Sequence, residues 1–257
     1  MKKVFLILIL FLSCYAIYNS TIDNKIYYLT IGDSISKGTN EYGVPSYGYS
    51  DFIKDYLYKR KKLKEYNKTF TASDYRISDI SRILEYNESK NEETLNRLIK
   101  KADIITMSIG MNDLYYKIKD GHNIYTYIDE MITNYNKILN YTNKFHHEEV
   151  FILGYYNVTG KDNDIFEYAN YNLKELCNEY NYTYIDLSKV LDNNPNYFTK
   201  KDNFVPNIKG HEKISQIIVE KTENNWYNIP CNFITMTFLS WRKERNKWKK
   251  IYTQNKK

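Results

Sequence analysis

The sequence predicts an α/β chain: a single three-layer domain on an open, doubly wound parallel sheet of five strands. Two observations carry this. Short apolar runs alternate with segments of helical periodicity, the pattern of successive βαβ units. The strongest run, IITMSI at 104–109, reads as apolar on both faces, as expected of a strand covered by helices on both sides.

The elements follow in order. Residues 26–31 (IYYLTI) read as the first strand, ending in a Gly-Asp-Ser turn. Residues 47–61 place Tyr49, Phe52, Ile53, Tyr56 and Leu57 at helical spacing. A weak second strand is expected at 67–71, then short helices at 77–86 and 92–101, before the third strand at 104–109. A long amphipathic helix at 125–143 precedes a strand at 150–154, a helix at 163–180 and a last strand at 182–186. Asn207 is placed to cap a closing helix over about 208–225. In such sheets functional groups gather beyond the carboxyl ends of the strands, which selects the loops after Ile31, Ile109 and Asp186. No internal repeat or linker divides residues 26–226, so they form one domain. The pattern stops beyond it, and residues 227–257 are a basic C-terminal extension.

The chain has 257 residues, of which about 200 remain for the domain, enough for a well-buried core. A hydrophobic fraction of 42% excludes both a disordered chain and a multi-span membrane protein. The net charge of +6 is concentrated at 59–64 and after Arg242, with no nucleic-acid-binding motif around it; no nucleic-acid partner is expected. The 28 tyrosines accompany many Asn, Lys and Ile, the signature of AT-rich codons, with an aromatic sugar-binding surface as the rival reading. The three cysteines, Cys14, Cys177 and Cys231, form neither a disulfide framework nor a metal-ligand pattern. Cys177 sits among Leu173, Leu176 and Tyr180 as a buried thiol.

The N-terminus points to export. Lys2 and Lys3 precede a continuously apolar run at 4–12, too short for a comfortable transmembrane helix but suited to a signal sequence. Phe11-Leu12-Ser13-Cys14 resembles a bacterial lipobox with Phe in place of the usual Leu, so residues 1–18 are a signal peptide, a lipid anchor at Cys14 or an uncleaved membrane anchor. Membrane association through the N-terminus, or secretion, is expected.

Two loops carry chemistry. Ile31-Gly32-Asp33-Ser34-Ile35-Ser36 places a serine at the carboxyl end of the first strand, where its hydroxyl can face the open edge; a serine nucleophile needs a base and an oxyanion site. Such a tripeptide serves equally as a tight turn. Ser108-Ile109-Gly110-Met111-Asn112-Asp113 supplies an amide that can donate to a developing oxyanion, or cap the segment that follows. Together, Gly32-Asp33-Ser34 and Gly110-Met111-Asn112-Asp113 resemble the nucleophile and GxND blocks of the SGNH, or GDSL, hydrolase family. The resemblance covers about 26–225. It implies a flavodoxin-like α/β/α fold, no metal or organic cofactor, and hydrolysis of acyl esters of lipids or acylated carbohydrates through an acyl-enzyme.

The resemblance assigns the oxyanion donors to the backbone of Ser34, the backbone of Asp74 and the amide of Asn112. Asp74 stands where the family carries glycine, and Arg76 is the candidate to neutralise it. The family's last block, Asp-x-x-His-Pro-Asn, here reads Asp202-Asn203-Phe204-Val205-Pro206-Asn207, with Val205 in the place of the base. His211 is the candidate replacement, oriented by Asp202, with a packing role as the competing reading. His122 is a second choice, and the pair at 146–147 belongs to the opposite edge. The expected protein is an exported serine esterase or lipase with Ser34, His211 and Asp202 as its triad. The alternatives are a catalytically silent protein of the same fold that binds acylated glycans or lipids, and a carbohydrate O-acetylesterase.

Overall fold

The computed structural model describes residues 25–222 except Glu41, His147, Asn193 and 200–202, together with the backbone of 223–226 and, before them, Ser13. The expected anchor and C-terminal extension lie outside the described residues. Among the described residues, no helix is long and apolar enough to cross a membrane.

The sheet is parallel throughout, with strand order β2-β1-β5-β6-β7: β1 Ile26–Gly32, β2 Leu63–Asn67, β5 Ile104–Ser108, β6 Glu149–Leu153 and β7 Thr183–Ile185. A small hairpin, β3 Ser89–Lys90 with β4 Glu93–Thr94, stands apart. Connecting these are α1 Ser34–Lys37, α2 Tyr49–Lys59, α3 Ile77–Glu85, α4 Leu95–Lys101, α5 Met111–Asp120, α6 Ile124–Phe145, α7 Asn163–Glu179, α8 Ser188–Leu191 and α9 Ile208–Trp226. The chain first moves from β1 outward to β2, then back past β1 to β5, β6 and β7. Right-handed crossovers in opposite directions place helices on opposite faces of the sheet. This is the three-layer α/β/α architecture that the alternating pattern predicts.

Local chemistry accounts for the main elements. All five residues of β5 are buried, as are the last five of β1. In α6, Ile128, Met131, Tyr135, Ile138, Leu139 and Thr142 recur at three- and four-residue spacing and form the buried stripe. Burying each large apolar side chain contributes about 2 kcal/mol. Asn207 caps α9 as expected, its Oδ1 accepting the Lys209 and Gly210 N–H groups at 3.0 and 3.1 Å.

Two expectations are corrected. The second strand runs over Leu63–Asn67, ahead of the expected 67–71; of that stretch, Thr71 makes only an isolated bridge to Gly32. The loop after the third strand also winds directly into α5, a helix the periodicity did not reveal.

The chain divides into two compact units, Met1–Ile218 and Val219–Lys257. The first contains the sheet and all the candidate site residues. Of the second, the structure describes the remaining turns of α9.

Candidate active site

Gly32 sets the geometry of the first loop. It closes β1 opposite Ser108 of β5 with φ +134°, and a Cβ there would lie 1.8 Å from the Ser108 carbonyl oxygen. The chain therefore turns flush against β5, and the Asp33 N–H donates to Ser108 O at 2.9 Å. Asp33 caps α1, its Oδ1 accepting the Ile35 N–H at 3.1 Å. Ser34 is thereby the first residue of α1, where its own N–H has no acceptor within the helix. The residue is 3% exposed, and its buried Oγ has no hydrogen-bond partner among the described residues.

The second loop meets the first from β5. Gly110, at φ +103°, passes so close to Tyr155 that a Cβ would lie 2.5 Å from its hydroxyl. Asn112 is buried, and its Nδ2 donates to Ser73 O at 3.0 Å and Tyr75 O at 2.9 Å. Asp113 accepts the Ile77 N–H at 3.2 Å and the Tyr127 hydroxyl at 3.3 Å. The Ser73 hydroxyl shares a 3.0 Å hydrogen bond with Thr39, beyond the end of α1. The loops carrying Ser34, Asp74 and Asn112 are thus laced together at one rim, the carboxyl edge of the sheet. Asn112 bonds the segment around Asp74, and both of its amide hydrogens are engaged there. The Asp74 side chain is exposed, and Arg76 stacks over Tyr116 at 4.9 Å.

His211 is placed differently. It is 2% exposed; its Nδ1 accepts the Tyr49 N–H at 3.3 Å, and its Nε2 faces Thr39 O at 3.4 Å. Because Tyr49 N–H is a donor, Nδ1 must accept, which leaves the proton on Nε2 for Thr39 O. Burial pulls the imidazole down to about 4, so the ring is neutral. Both nitrogens thus engage backbone, and the structure does not bring the ring into a hydrogen bond with Ser34. Val205 is buried where the family's base is expected. Asp202 lies outside the described residues. His122 is exposed and bonds Asp120 O, and His146 is buried before β6 at the amino edge.

Three groups that sequence reasoning did not single out belong to this rim. The Asp33 carboxyl is fully buried with Oδ2 unpartnered among the described residues; burial, with a smaller contribution from Asp113, pushes it up to about 7. Ser36 Oγ donates to Ile31 O at 2.8 Å and shares a 3.1 Å bond with the Tyr49 hydroxyl. That hydroxyl also reaches Thr30 and Thr106, at 3.2 and 3.3 Å, on the adjacent strands β1 and β5. Tyr49 therefore pins α1 to the sheet with its hydroxyl and holds His211 with its N–H. In the sequence it registers only as one apolar position of a helix.

A cleft of about 440 Å³ adjoins the rim, a volume typical of a small-molecule site. Met111, next to Asn112, and Phe204, next to Val205, bring it up to the loops described above. Tyr115 and Tyr156 line it with them; Tyr115 packs on Phe204 at 4.9 Å between ring centres, and the Tyr156 hydroxyl donates to Phe204 O at 2.6 Å. Asn157, Thr159, Lys119 and Lys161 add polar groups. The Asn157 side chain fixes this wall by accepting the Thr159 and Gly160 N–H groups at 3.1 and 3.2 Å. No group of metal-ligating side chains occurs among the described residues.

The fold is shared with solved structures. A lipase, Lip_vut3, from a goat rumen metagenome superposes with a TM-score of 0.61 at 21% identity, covering 76% of this chain and 97% of that one. Axe2, an acetylxylan esterase from Geobacillus stearothermophilus, gives 0.60 at 16% identity, over 78% and 96%. LAE5, an alpha/beta hydrolase enzyme from the metagenome of Lake Arreo, Spain, gives 0.60 at 16% identity, over 77% and 95%. No curated protein matches the chain in sequence. The pattern of the GDSL-like Lipase/Acylhydrolase family, however, matches residues 28–218, all of the sheet but the first two residues of β1, and both chemistry-bearing loops. The chain therefore belongs to the GDSL-like lipase/acylhydrolase family and is a serine ester hydrolase.

Proposed function

We propose that the protein is an exported esterase that cleaves acyl esters through an acyl-enzyme on Ser34. The observation that carries this reading is the Ser34 hydroxyl, unpartnered at the carboxyl rim and held at the start of α1 by the Gly32 turn and the Asp33 cap. Ser34 Oγ attacks the ester carbonyl carbon, and its proton passes to the departing alkoxide as the ester C–O bond breaks. Water then attacks the acyl-serine, giving the carboxylic acid and restoring the hydroxyl. The oxyanion takes hydrogen bonds from the backbone of Ser34 and Asp74 and from Asn112, whose amide exchanges one loop carbonyl for it. One such donor is worth about 3 kcal/mol of barrier.

For the proton there are two candidates, Asp202 and His211. The bonds of His211 to Thr39 and Tyr49 favour Asp202 as the acceptor, with His211 bracing the loop between them. The mixed aromatic and polar lining of the cleft supports an acylated carbohydrate over a simple long-chain lipid. Labelling by a fluorophosphonate tests the nucleophile: the folded wild type reacts and Ser34→Ala does not. A folded wild type that stays unlabelled, and turns over no ester, would favour a binding protein in place of the enzyme mechanism.

A further inference from the structure

We infer that the β1–β2 end of the sheet's amino edge is a docking surface for an anionic lipid bilayer, which turns the Ser34 rim away from the membrane. The inference rests on the export reading above. All five main strands begin on one edge, so the turn after α2, the start of β2 and the start of β1 lie together. Ile26 pairs with Leu63, and the Ile26 N–H donates to Lys62 O at 2.6 Å. Lys59, Arg60, Lys61, Lys62 and Lys64 are all exposed here, beside the exposed Lys25. A cation at a helix end complements the helix dipole, which accounts for Lys59. Lys61 and Lys62 lie beyond the helix, where the dipole does not account for them.

Opposing charge lies towards the other end of this edge, where Glu148 and Glu149 stand at the start of β6. Glu65 pairs with Lys101 at 2.6 Å, and Asp103 accepts the Tyr27 N–H at 2.7 Å. Aromatic rings are interleaved with the cations: Lys64 and Lys101 flank the Tyr27 ring at 4.9 and 4.7 Å, Arg60 covers Tyr56 at 4.5 Å, and Tyr58 is 71% exposed. Cations amid amphipathic rings suit the headgroup layer of an anionic membrane, where each Lys or Arg adds to binding.

The chain outside the described residues identifies this occupant over other polyanions. The apolar run at 4–12 and Cys14 join the domain at Lys25, on this same edge. The steps from Cys14 to Lys25 reach at most about 40 Å, which keeps the edge near the membrane but leaves the domain free to rotate. The basic surface removes that freedom. The rise of β1, about 20 Å, puts Ser34 at the far rim, facing the aqueous side. The ester then arrives from that side and not by lateral diffusion within the bilayer.

The test uses the purified full chain and its Lys61→Gln/Lys62→Gln/Lys64→Gln variant, floated with phosphatidylcholine vesicles with or without about one third phosphatidylglycerol. The variant should lose about 100-fold in affinity for the anionic vesicles and nothing for the neutral ones, and added salt should weaken only the wild type's preference. Equal affinity of variant and wild type for anionic vesicles would overturn the docking surface. Binding to neutral vesicles reports the N-terminal segment separately, so its absence counts against the anchor without obscuring the comparison. Hydrolysis of water-soluble p-nitrophenyl acetate should continue at an unchanged rate on anionic vesicles. Inhibition by them would overturn the outward-facing rim.

Discussion

His211 and Tyr49 lie far apart in sequence, yet the ring Nδ1 of one accepts the backbone N–H of the other at 3.3 Å. The same ring faces Thr39 O, so one buried imidazole spans the two ends of the 39–49 loop beside Ser34. A histidine in this position is a brace. His211→Ala removes both bonds and leaves a cavity, and it should cost about 3 kcal/mol of stability. At a temperature where the variant is folded, fluorophosphonate labelling of Ser34 should persist. Loss of labelling with the fold intact, read by circular dichroism, would return His211 to the role of base.

Asp33 and His211 should oppose one another in the pH dependence of stability. Folded Asp33 keeps its proton up to about 7, against 3.8 in the unfolded chain, so over that interval its contribution falls as pH rises. Folded His211 stays neutral down to about 4, against 6.5 unfolded, so its contribution falls as pH drops. Between pH 4 and 6.5 the two slopes, each about 1.4 kcal/mol per pH unit at most, largely cancel. Denaturant titrations should show, relative to the wild type, Asp33→Asn losing stability towards acid and His211→Gln gaining it. Parallel profiles for all three would mean that neither group is buried as described.

Asn112 has two duties, and substitution should separate them. Asn112→Ala frees the Ser73 and Tyr75 carbonyls and removes an oxyanion donor, so kcat for p-nitrophenyl acetate should fall about 100-fold or more. KM should change little, because the amide acts on charge that develops only in the transition state. A variant with normal kcat would confine Asn112 to holding the loop.

The Tyr49 hydroxyl is a positioning group. Tyr49→Phe keeps the ring and the N–H bonded to His211 but releases Ser36, Thr30 and Thr106. It should lower kcat by about tenfold at nearly constant KM, together with about 1 kcal/mol of stability. A loss of stability with kcat unaltered would show that the network serves the core alone.

The sheet and its open edge were legible in the sequence because their signals are local. The buried residues of β1 and β5 are contiguous apolar runs, and the Gly-Asp-Ser and Gly-Met-Asn-Asp blocks fall at their ends. β2 was misplaced because an edge strand reading Leu-Lys-Glu-Tyr-Asn has the charged composition that protects edges and little apolar alternation. The helix α5 was hidden because Gly110 and Asn112 read as loop residues, although Gly110 takes the left-handed conformation that starts it. The role of His211 was illegible for another reason. Its partners are backbone atoms of Thr39 and Tyr49, and a backbone partner leaves no mark in residue types.

The central claim, that Ser34 is acylated, is tested most directly by mixing the protein with excess p-nitrophenyl acetate, quenching in acid and mapping the acetyl group by peptide mass spectrometry. The account predicts acetyl on the peptide carrying Ser34 in the wild type, diminished in Asp202→Asn, which lacks the proton acceptor, and absent in Ser34→Ala. Ester turnover undiminished in Ser34→Ala, with acetyl on no peptide or on another residue, would contradict it.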